Sequence, residues 1–152
     1  MNTENLVENE MAPILLELGK ALFTCQSLEV NLRSLNAQLT HDEGVGEEET
    51  FGSSLDFYSN ETLGQSINNL RKRIDISADL SDYLESGLRI RNEIVHDSMT
   101  KNIQRFACPK GRLEVESELA FMKNEVKKRD VLVNKLLNSL FAKNEFPNAA
   151  KL

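Results

Sequence analysis

The sequence predicts an all-α domain built as an up-and-down bundle of four main helices. The chain has 152 residues, the size of one ordinary domain, and contains only 7 glycines and 3 prolines, few for a turn-rich sheet protein. Its apolar residues recur at steps of three, four and seven, the spacing of one helix face. No repeat or linker divides the chain, so residues 1–152 are predicted to form one domain with a core over about 12–143.

The first predicted helix begins near Pro13, because proline suits a first helical turn, where its missing amide hydrogen is not needed. The helix carries one apolar stripe over about six or seven turns. The stripe is made of Leu15, Leu18, Leu22, Cys25, Leu32, Leu35 and Leu39. Glu29 stands where the spacing calls for an apolar side chain. Since a buried lone carboxylate is costly, Glu29 is expected to face a partner, water or a second chain.

An acidic loop is predicted over residues 40–60, which contain three glycines and an acidic run and show no helical period. Loops of this length are usually functional or mobile, although a solvated acidic loop is the simpler interpretation. Ser59 or Asn60 is predicted to cap the second helix. The buried side of that helix is predicted to be Leu63, Ile67, Leu70 and Ile74.

Ser77 is predicted to cap the third helix, whose buried side is Leu80, Tyr83, Leu84, Leu88 and Val95. The segment over 100–112 contains a proline and a glycine and is predicted to be a connection. A long fourth helix follows, capped by Ser117 or starting slightly earlier. It carries Leu119, Met122, Val126, Val133, Leu136, Leu137 and Leu140, and residues 144–152 are predicted to be a loose tail.

The charge of the chain is unevenly distributed. The net charge is −6 and the pI is about 5.0, which excludes a protein that coats nucleic acid non-specifically. Residues 1–69 hold 2 basic and 12 acidic side chains, whereas residues 70–152 hold 16 basic and 12 acidic ones. A local basic site in the second half is therefore compatible with an acidic chain.

The location of the protein is predicted from its termini, hydropathy and cysteines. The first ten residues are acidic rather than basic, and no apolar run approaches the roughly 18 residues that span a bilayer. We therefore predict no membrane segment and a cytoplasmic protein. Cys25 and Cys108 do not make a disulfide framework and are expected to be reduced thiols.

Familiar catalytic signatures are missing from the sequence: it has no phosphate-binding glycine loop, no nucleophile elbow and no CxxC pair. With two histidines and two cysteines spread along the chain, a metal site has few ligands, and we predict neither metal nor cofactor. The segment Arg91-Asn92-Glu93-Ile94-Val95-His96 is the remaining candidate. Asn92 and His96 share a helix face, with Arg91 beside Asn92.

Two interpretations of this segment follow from its chemistry. An arginine matches phosphate oxygens, and a histidine exchanges protons near neutral pH. Metal-free RNA cleavage needs those two parts. The simpler alternative is structural: Arg91 pairs with Glu93, Asp97 or Glu29, and His96 caps carbonyls at a helix end. Spacing alone favours the structural alternative.

The order of the helical segments adds a resemblance. The successive stretches GKALFTCQSLEVNL, ETLGQSINNLRKRI and LSDYLESGLRIRNEIVHD, followed by a long terminal helix, resemble the HEPN superfamily (higher eukaryote and prokaryote nucleotide-binding domains) over about residues 12–143. The Arg-polar-x-x-x-His element carries the resemblance, and Gln26 and Glu29 on the first helix support it more weakly. The resemblance implies a bundle that dimerises, with both Arg/His helices lining one cleft.

In active members this cleft is a metal-independent endoribonuclease site, in toxins and in defence systems. The resemblance implies that Arg91 holds the scissile phosphate, His96 acts as acid or base, and Asn92 orients one of them. Arg89, Lys101 and Arg105 lie close by in sequence and are predicted to bind the RNA substrate. One toxin branch carries a tyrosine two positions after the histidine, where its antitoxin modifies it; this chain has Ser98 there.

A second resemblance leads to a different function. The stretches TLGQSINNL and RNEIVHD are also similar to mannitol operon repressor proteins, helical regulators in which the Arg-x4-His spacing does not certify catalysis. The chain would then be a non-catalytic regulator or a module that binds a protein partner. A nuclease should expose His96 among cations, whereas a regulator should bury Arg91 against a carboxylate such as Glu29.

Overall fold

The computed structural model describes residues 3–42 and 61–145. Four α-helices make up most of this part: α1 (Thr3–Asp42), α2 (Leu63–Arg73), α3 (Ala78–Asn92) and α4 (Pro109–Glu145). A π-helical turn over Glu93–Asp97 continues α3, and a 3-10 turn over Arg105–Ala107 precedes α4. The described residues contain no strand, so the prediction of an all-α bundle with four helices is confirmed.

Helix α1 is longer than predicted and includes Pro13 in its interior instead of in its first turn. The missing amide hydrogen leaves the carbonyl of Asn9 without its helical donor, but both residues are exposed, so water can replace that donor. Ile14 is buried against Val115 and Leu119 of α4 and anchors this part of α1. Leu15 was predicted to be buried and is exposed, because the contact with α4 selects the neighbouring position.

The cap of α2 differs from the predicted one, whereas that of α3 agrees with it. Thr62 caps α2 in a reciprocal pair: its hydroxyl accepts from the amide of Gln65 at 3.2 Å, and the side chain of Gln65 accepts from the amide of Thr62 at 2.8 Å. Ser59 and Asn60, the predicted caps, lie outside the described residues. Ser77 caps α3 as predicted and accepts from the amide of Leu80 at 3.1 Å.

Helix α4 begins at Pro109, eight residues before the predicted cap Ser117. Proline favours a first helical turn, and the amide of Arg112 donates to the carbonyl of Cys108 at 3.1 Å to close that turn. The predicted connection over 100–112 is therefore wrong at its end, where Lys110, Gly111 and Arg112 are helical. Gly111 is needed because a Cβ there would collide with the backbone of Arg105.

Contacts at successive levels fix the directions of the helices. Arg112 pairs with Glu10, Lys123 with Glu17, and Ser27 donates to Asp130, so α1 and α4 run in the same direction. Helix α3 runs against them, because its Ser86 lies at Arg129 while Glu93, after its end, lies near Glu118. The predicted up-and-down order would make α1 and α4 antiparallel, so the bundle differs from the prediction in the direction of its helices. Side chains from all four helices and the π-helical turn share one core: Ala21, Cys25, Leu28, Leu32, Leu35, Leu63, Ile67, Leu70, Leu84, Ile94, Val126, Val133 and Leu137.

Most of the predicted acidic loop and of the predicted tail lies outside the described residues. Helix α1 extends to Asp42 and α4 to Glu145, so the helices include the first residues of both segments. Among the helices that the structure describes, none combines the length and the apolar character required for crossing a membrane.

Candidate functional site

Glu29 and Arg91 form an ion pair that joins α1 to α3. The Nε of Arg91 donates to Oε1 of Glu29 at 2.8 Å, and Arg33 lies 3.7 Å from the other carboxylate oxygen. The side chain of Glu29 is 13% exposed and that of Arg91 is 25% exposed. Glu29 was expected to face a partner, water or a second chain, and the structure shows that its partner is Arg91 of the same chain. This contact explains why a carboxylate interrupts the apolar stripe of α1.

Arg91 lines an open groove of about 460 Å³ together with Glu29, Arg33, Glu61 and Asn92. Arg33 donates through Nε and a terminal nitrogen to the backbone carbonyl of Glu61, at 3.0 and 2.6 Å. The groove thus holds two arginines and two carboxylates, and its formal charges cancel. Its described lining does not include His96.

Asn92 and His96 are both exposed; Asn92 directly precedes the π-helical turn, and His96 lies within it. A terminal nitrogen of Arg91 donates to Oδ1 of Asn92 at 3.2 Å. In an α-helix, residues five apart point about 140° away from each other. A π-helical turn is wider, so the angle between Arg91 and His96 is smaller than in a continuous α-helix. Single π-helical turns are frequent at functional sites.

Buried side chains on either side of His96 hold the turn in place. Ile94 enters the core, and Ser98 is buried. The hydroxyl of Ser98 donates to the carbonyl of Ile94 and lies 3.3 Å from that of Glu93. Ser98 stands two positions after His96, where the resemblance to the toxin branch would require a tyrosine. Here a small hydroxyl bonds to the backbone of the turn.

The cations predicted to bind RNA differ in how they are engaged. Lys101 pairs with Asp97 at 2.9 Å. Arg105 donates to both oxygens of Glu118, at 2.7 and 2.8 Å, and to Glu114 at 3.2 Å. Hydrogen bonds from Arg105 hold the pKa of the Glu118 carboxylate below its usual value. The charges of Lys101 and Arg105 are therefore compensated by carboxylates of the same chain. Arg89 lies exposed on α3.

The remaining candidates contribute less to the site. Gln26, the weaker supporting residue on α1, is exposed. Cys25 is buried, and burial raises the pKa of its thiol to about 11, while Cys108 is exposed. No group of three or more His, Cys, Asp or Glu side chains in the described ranges is arranged to hold a metal ion.

Arg129 and Asp130 were missed by the sequence analysis, although both are buried. Arg129 donates to the carbonyl of Tyr83 and the hydroxyl of Ser86, at 2.8 and 2.6 Å, and lies 4.0 Å from the ring centroid of Tyr83. It therefore fixes α3, the helix that carries Arg91, against α4. The sequence did contain a signal for their burial, because both residues lie at helical spacing between the apolar residues Val126 and Val133.

Comparisons with protein-family models, with curated proteins and with solved structures found no match. The resemblances to the HEPN superfamily and to mannitol operon repressor proteins stay predictions based on sequence. Function is therefore argued from the geometry of the chain.

Proposed function

We propose that this protein is a HEPN-type, metal-independent endoribonuclease that acts in the cytoplasm, as a toxin or a defence component. The π-helical turn over Glu93–Asp97, which contains His96, is the observation that supports this proposal most directly. Because a π-helical turn is wider than an α-helical one, the angle between Arg91 and His96 is smaller than in a continuous α-helix. In the reaction Arg91 binds the scissile phosphate, His96 transfers a proton to or from the 2′-hydroxyl and leaving oxygens, and Asn92 orients Arg91.

Arg91 keeps donors for a phosphate while Glu29 holds it in position. A guanidinium has five N–H groups, and the hydrogen bonds of Arg91 to Glu29 and Asn92 use one on Nε and one on a terminal nitrogen. The quarter of its side chain that is exposed opens into the groove. Glu29 is therefore a positioning residue, which fixes the arginine before the substrate arrives.

A second copy of the chain is the partner that this proposal requires. The groove of one protomer is formally neutral, and His96 does not line it. Exposed apolar side chains lie in and beside the turn: Val95, which was wrongly predicted to be buried, lies within it, Met99 follows it, and Phe121 lies with Glu93 around a neighbouring depression. Exposed apolar groups of this kind favour an interface. A two-fold axis here would place two Arg91/His96 pairs in one cleft.

The test is cleavage of a mixed single-stranded RNA in EDTA by the wild type, His96→Ala and Arg91→Ala, with the folding of each checked by circular dichroism. We expect the wild type to cleave and the His96→Ala rate to be lower by about 10²–10⁴-fold, the usual contribution of a general acid or base. His41→Ala is the matched control, since it removes the other histidine of the chain. Equal loss in His41→Ala, or undiminished cleavage by folded His96→Ala, contradicts the proposal.

The second candidate is a non-catalytic module that binds a protein partner, as in the resemblance to mannitol operon repressor proteins. The ion pair between Arg91 and Glu29 favours it, as do the intramolecular pairs of Lys101 and Arg105. In this case the wild type cleaves no RNA, and Arg91→Ala and Glu29→Gln lower the free energy of unfolding by similar amounts. Urea unfolding of both variants beside the cleavage assay separates the two candidates.

A further inference from the structure

A stripe of exposed apolar residues follows the outer face of α1. Leu16, Phe23 and Val30 are 59%, 73% and 53% exposed and lie seven residues apart, which keeps them on one helix face over about 21 Å. Val131 of α4 is also exposed, and it lies one helical turn after Lys127, which lines the same groove as Phe23. Single exposed apolar residues are ordinary, but a regular stripe of four turns is typical of a helix–helix interface.

A groove of about 530 Å³ lies beside Phe23, between α1 and α4. Gly19 forms part of its wall, and a Cβ added there would meet nothing within 4 Å. The missing side chain leaves space in which an apolar group can approach the backbone of α1 closely. Phe23 and this space together form a projection and a recess, as helix packing requires.

Lysines give one edge of this surface a positive charge. Lys20, Lys123 and Lys127 line the groove. Glu17 pairs with the first two, and Asp130 with the third, so three cations face two carboxylates. Lys20 is one of only two basic residues among the first 69 of this acidic chain. A partner that covers the stripe would gain most from acidic side chains along this edge.

We infer that this surface, defined by Leu16, Phe23, Val30 and the three lysines, binds an amphipathic helix of another protein with an acidic edge. Apolar residues of that helix, spaced three and four apart, pack on the stripe, with Phe23 as the central anchor. A second copy of the chain fits poorly. In an antiparallel two-fold contact centred on Phe23, the lysines of both protomers would lie together, and like charges facing each other oppose binding. The inference does not depend on RNA cleavage.

The test uses two labelled synthetic peptides and the full chain in a fluorescence anisotropy titration. Both peptides form helices with leucines spaced three and four apart, and one has glutamates along the edges where the other has lysines. We expect the acidic peptide to bind at least about tenfold more tightly than the basic one. Phe23→Ala should weaken the acidic peptide by about tenfold, the loss of an anchor residue. Lys127→Glu should weaken it as well.

Ile103→Ala is the matched control, since Ile103 is 69% exposed and lies in the segment before α4; it should leave the affinity unchanged. Equal binding of the two peptides, no binding at high-micromolar concentration, or an equal loss in Ile103→Ala would overturn the inference. So would a dimer, measured by light scattering, that Phe23→Ala converts to a monomer. Single-stranded RNA that displaces the acidic peptide would assign the surface to nucleic acid and also overturn it.

Discussion

Replacing Gly87 with alanine should destabilise the protein, although alanine is the better helix former. Gly87 lies inside α3, and a Cβ there would collide with Cδ of Arg129 and lie 3.0 Å from its Nε. Arg129 has little freedom to move away. It is buried and donates to Tyr83, Ser86 and Glu125. The added methyl group must therefore displace either α3 or this set of hydrogen bonds.

The expected magnitude combines opposing effects. Overpacking a rigid site costs about 1–3 kcal/mol, and weakening one hydrogen bond of a charged group adds about 1.5–3 kcal/mol. In the opposite direction, replacing glycine with alanine inside a helix stabilises the helix by about 1 kcal/mol. The net loss in the free energy of unfolding for Gly87→Ala is then about 1.5–5 kcal/mol. For a chain of this size the midpoint of thermal unfolding should fall by roughly 2–4 °C for each kcal/mol.

Urea and thermal unfolding followed by circular dichroism measure this loss, and two comparisons isolate its cause. Gly19→Ala is the matched control, because its Cβ meets nothing within 4 Å, and it should stabilise the protein by up to about 1 kcal/mol. In an Arg129→Met background the Gly87→Ala penalty should largely disappear, since methionine is flexible and has no donor to hold it. A Gly87→Ala protein as stable as the wild type, or an unchanged penalty in the Arg129→Met background, would refute the steric argument.

Two further predictions concern the cysteines and the acid response. At pH 8 a thiol reagent should modify Cys108 rapidly and Cys25 only after unfolding, because burial raises the pKa of Cys25 to about 11; rapid labelling of both in the folded protein would contradict this. Arg105→Gln should lower the urea midpoint at pH 7 but barely at pH 3. Arg105 depresses the pKa of folded Glu118, so that stabilisation is present above the unfolded pKa of about 4.3 and is lost as the pH falls through the folded value. A pH-independent difference would contradict it.

The existence and order of the helices could be predicted because apolar spacing reports directly on helix faces. Their ends depend on weaker local signals and on partners distant in sequence. Pro13 looked like a beginning, but Glu10 pairs with Arg112 of α4 and Met11 packs on the same cluster as Ile14, so contacts with α4 hold the helix in front of the proline. Ser117 looked like a cap, but Pro109 supplies an earlier first turn and leaves Ser117 exposed on the helix. In both cases tertiary packing overrides a residue's local preference.

The candidate site was predicted in its components and not in its geometry. The interruption of the stripe at Glu29 identified a carboxylate in need of a partner, and Arg91 is that partner. Spacing could not reveal the π-helical turn, because the pattern assumes about 3.6 residues per turn throughout. Nor could it show that Glu114 and Glu118 engage Arg105, since that contact depends on the fold of the segment before α4.

The π-helical turn differs from a frayed helix end because the residues within and after it have definite surroundings. Ile94 is buried, Ser98 donates to a carbonyl of the turn, and His96 between them is exposed. A helix that needed only to end here could do so with a glycine in the left-handed conformation. This chain instead continues with a wider turn, and side chains on both sides of the histidine are buried. Burial of Ile94 and Ser98 thus stabilises the turn that presents His96 to solvent, as the proposed proton transfer needs.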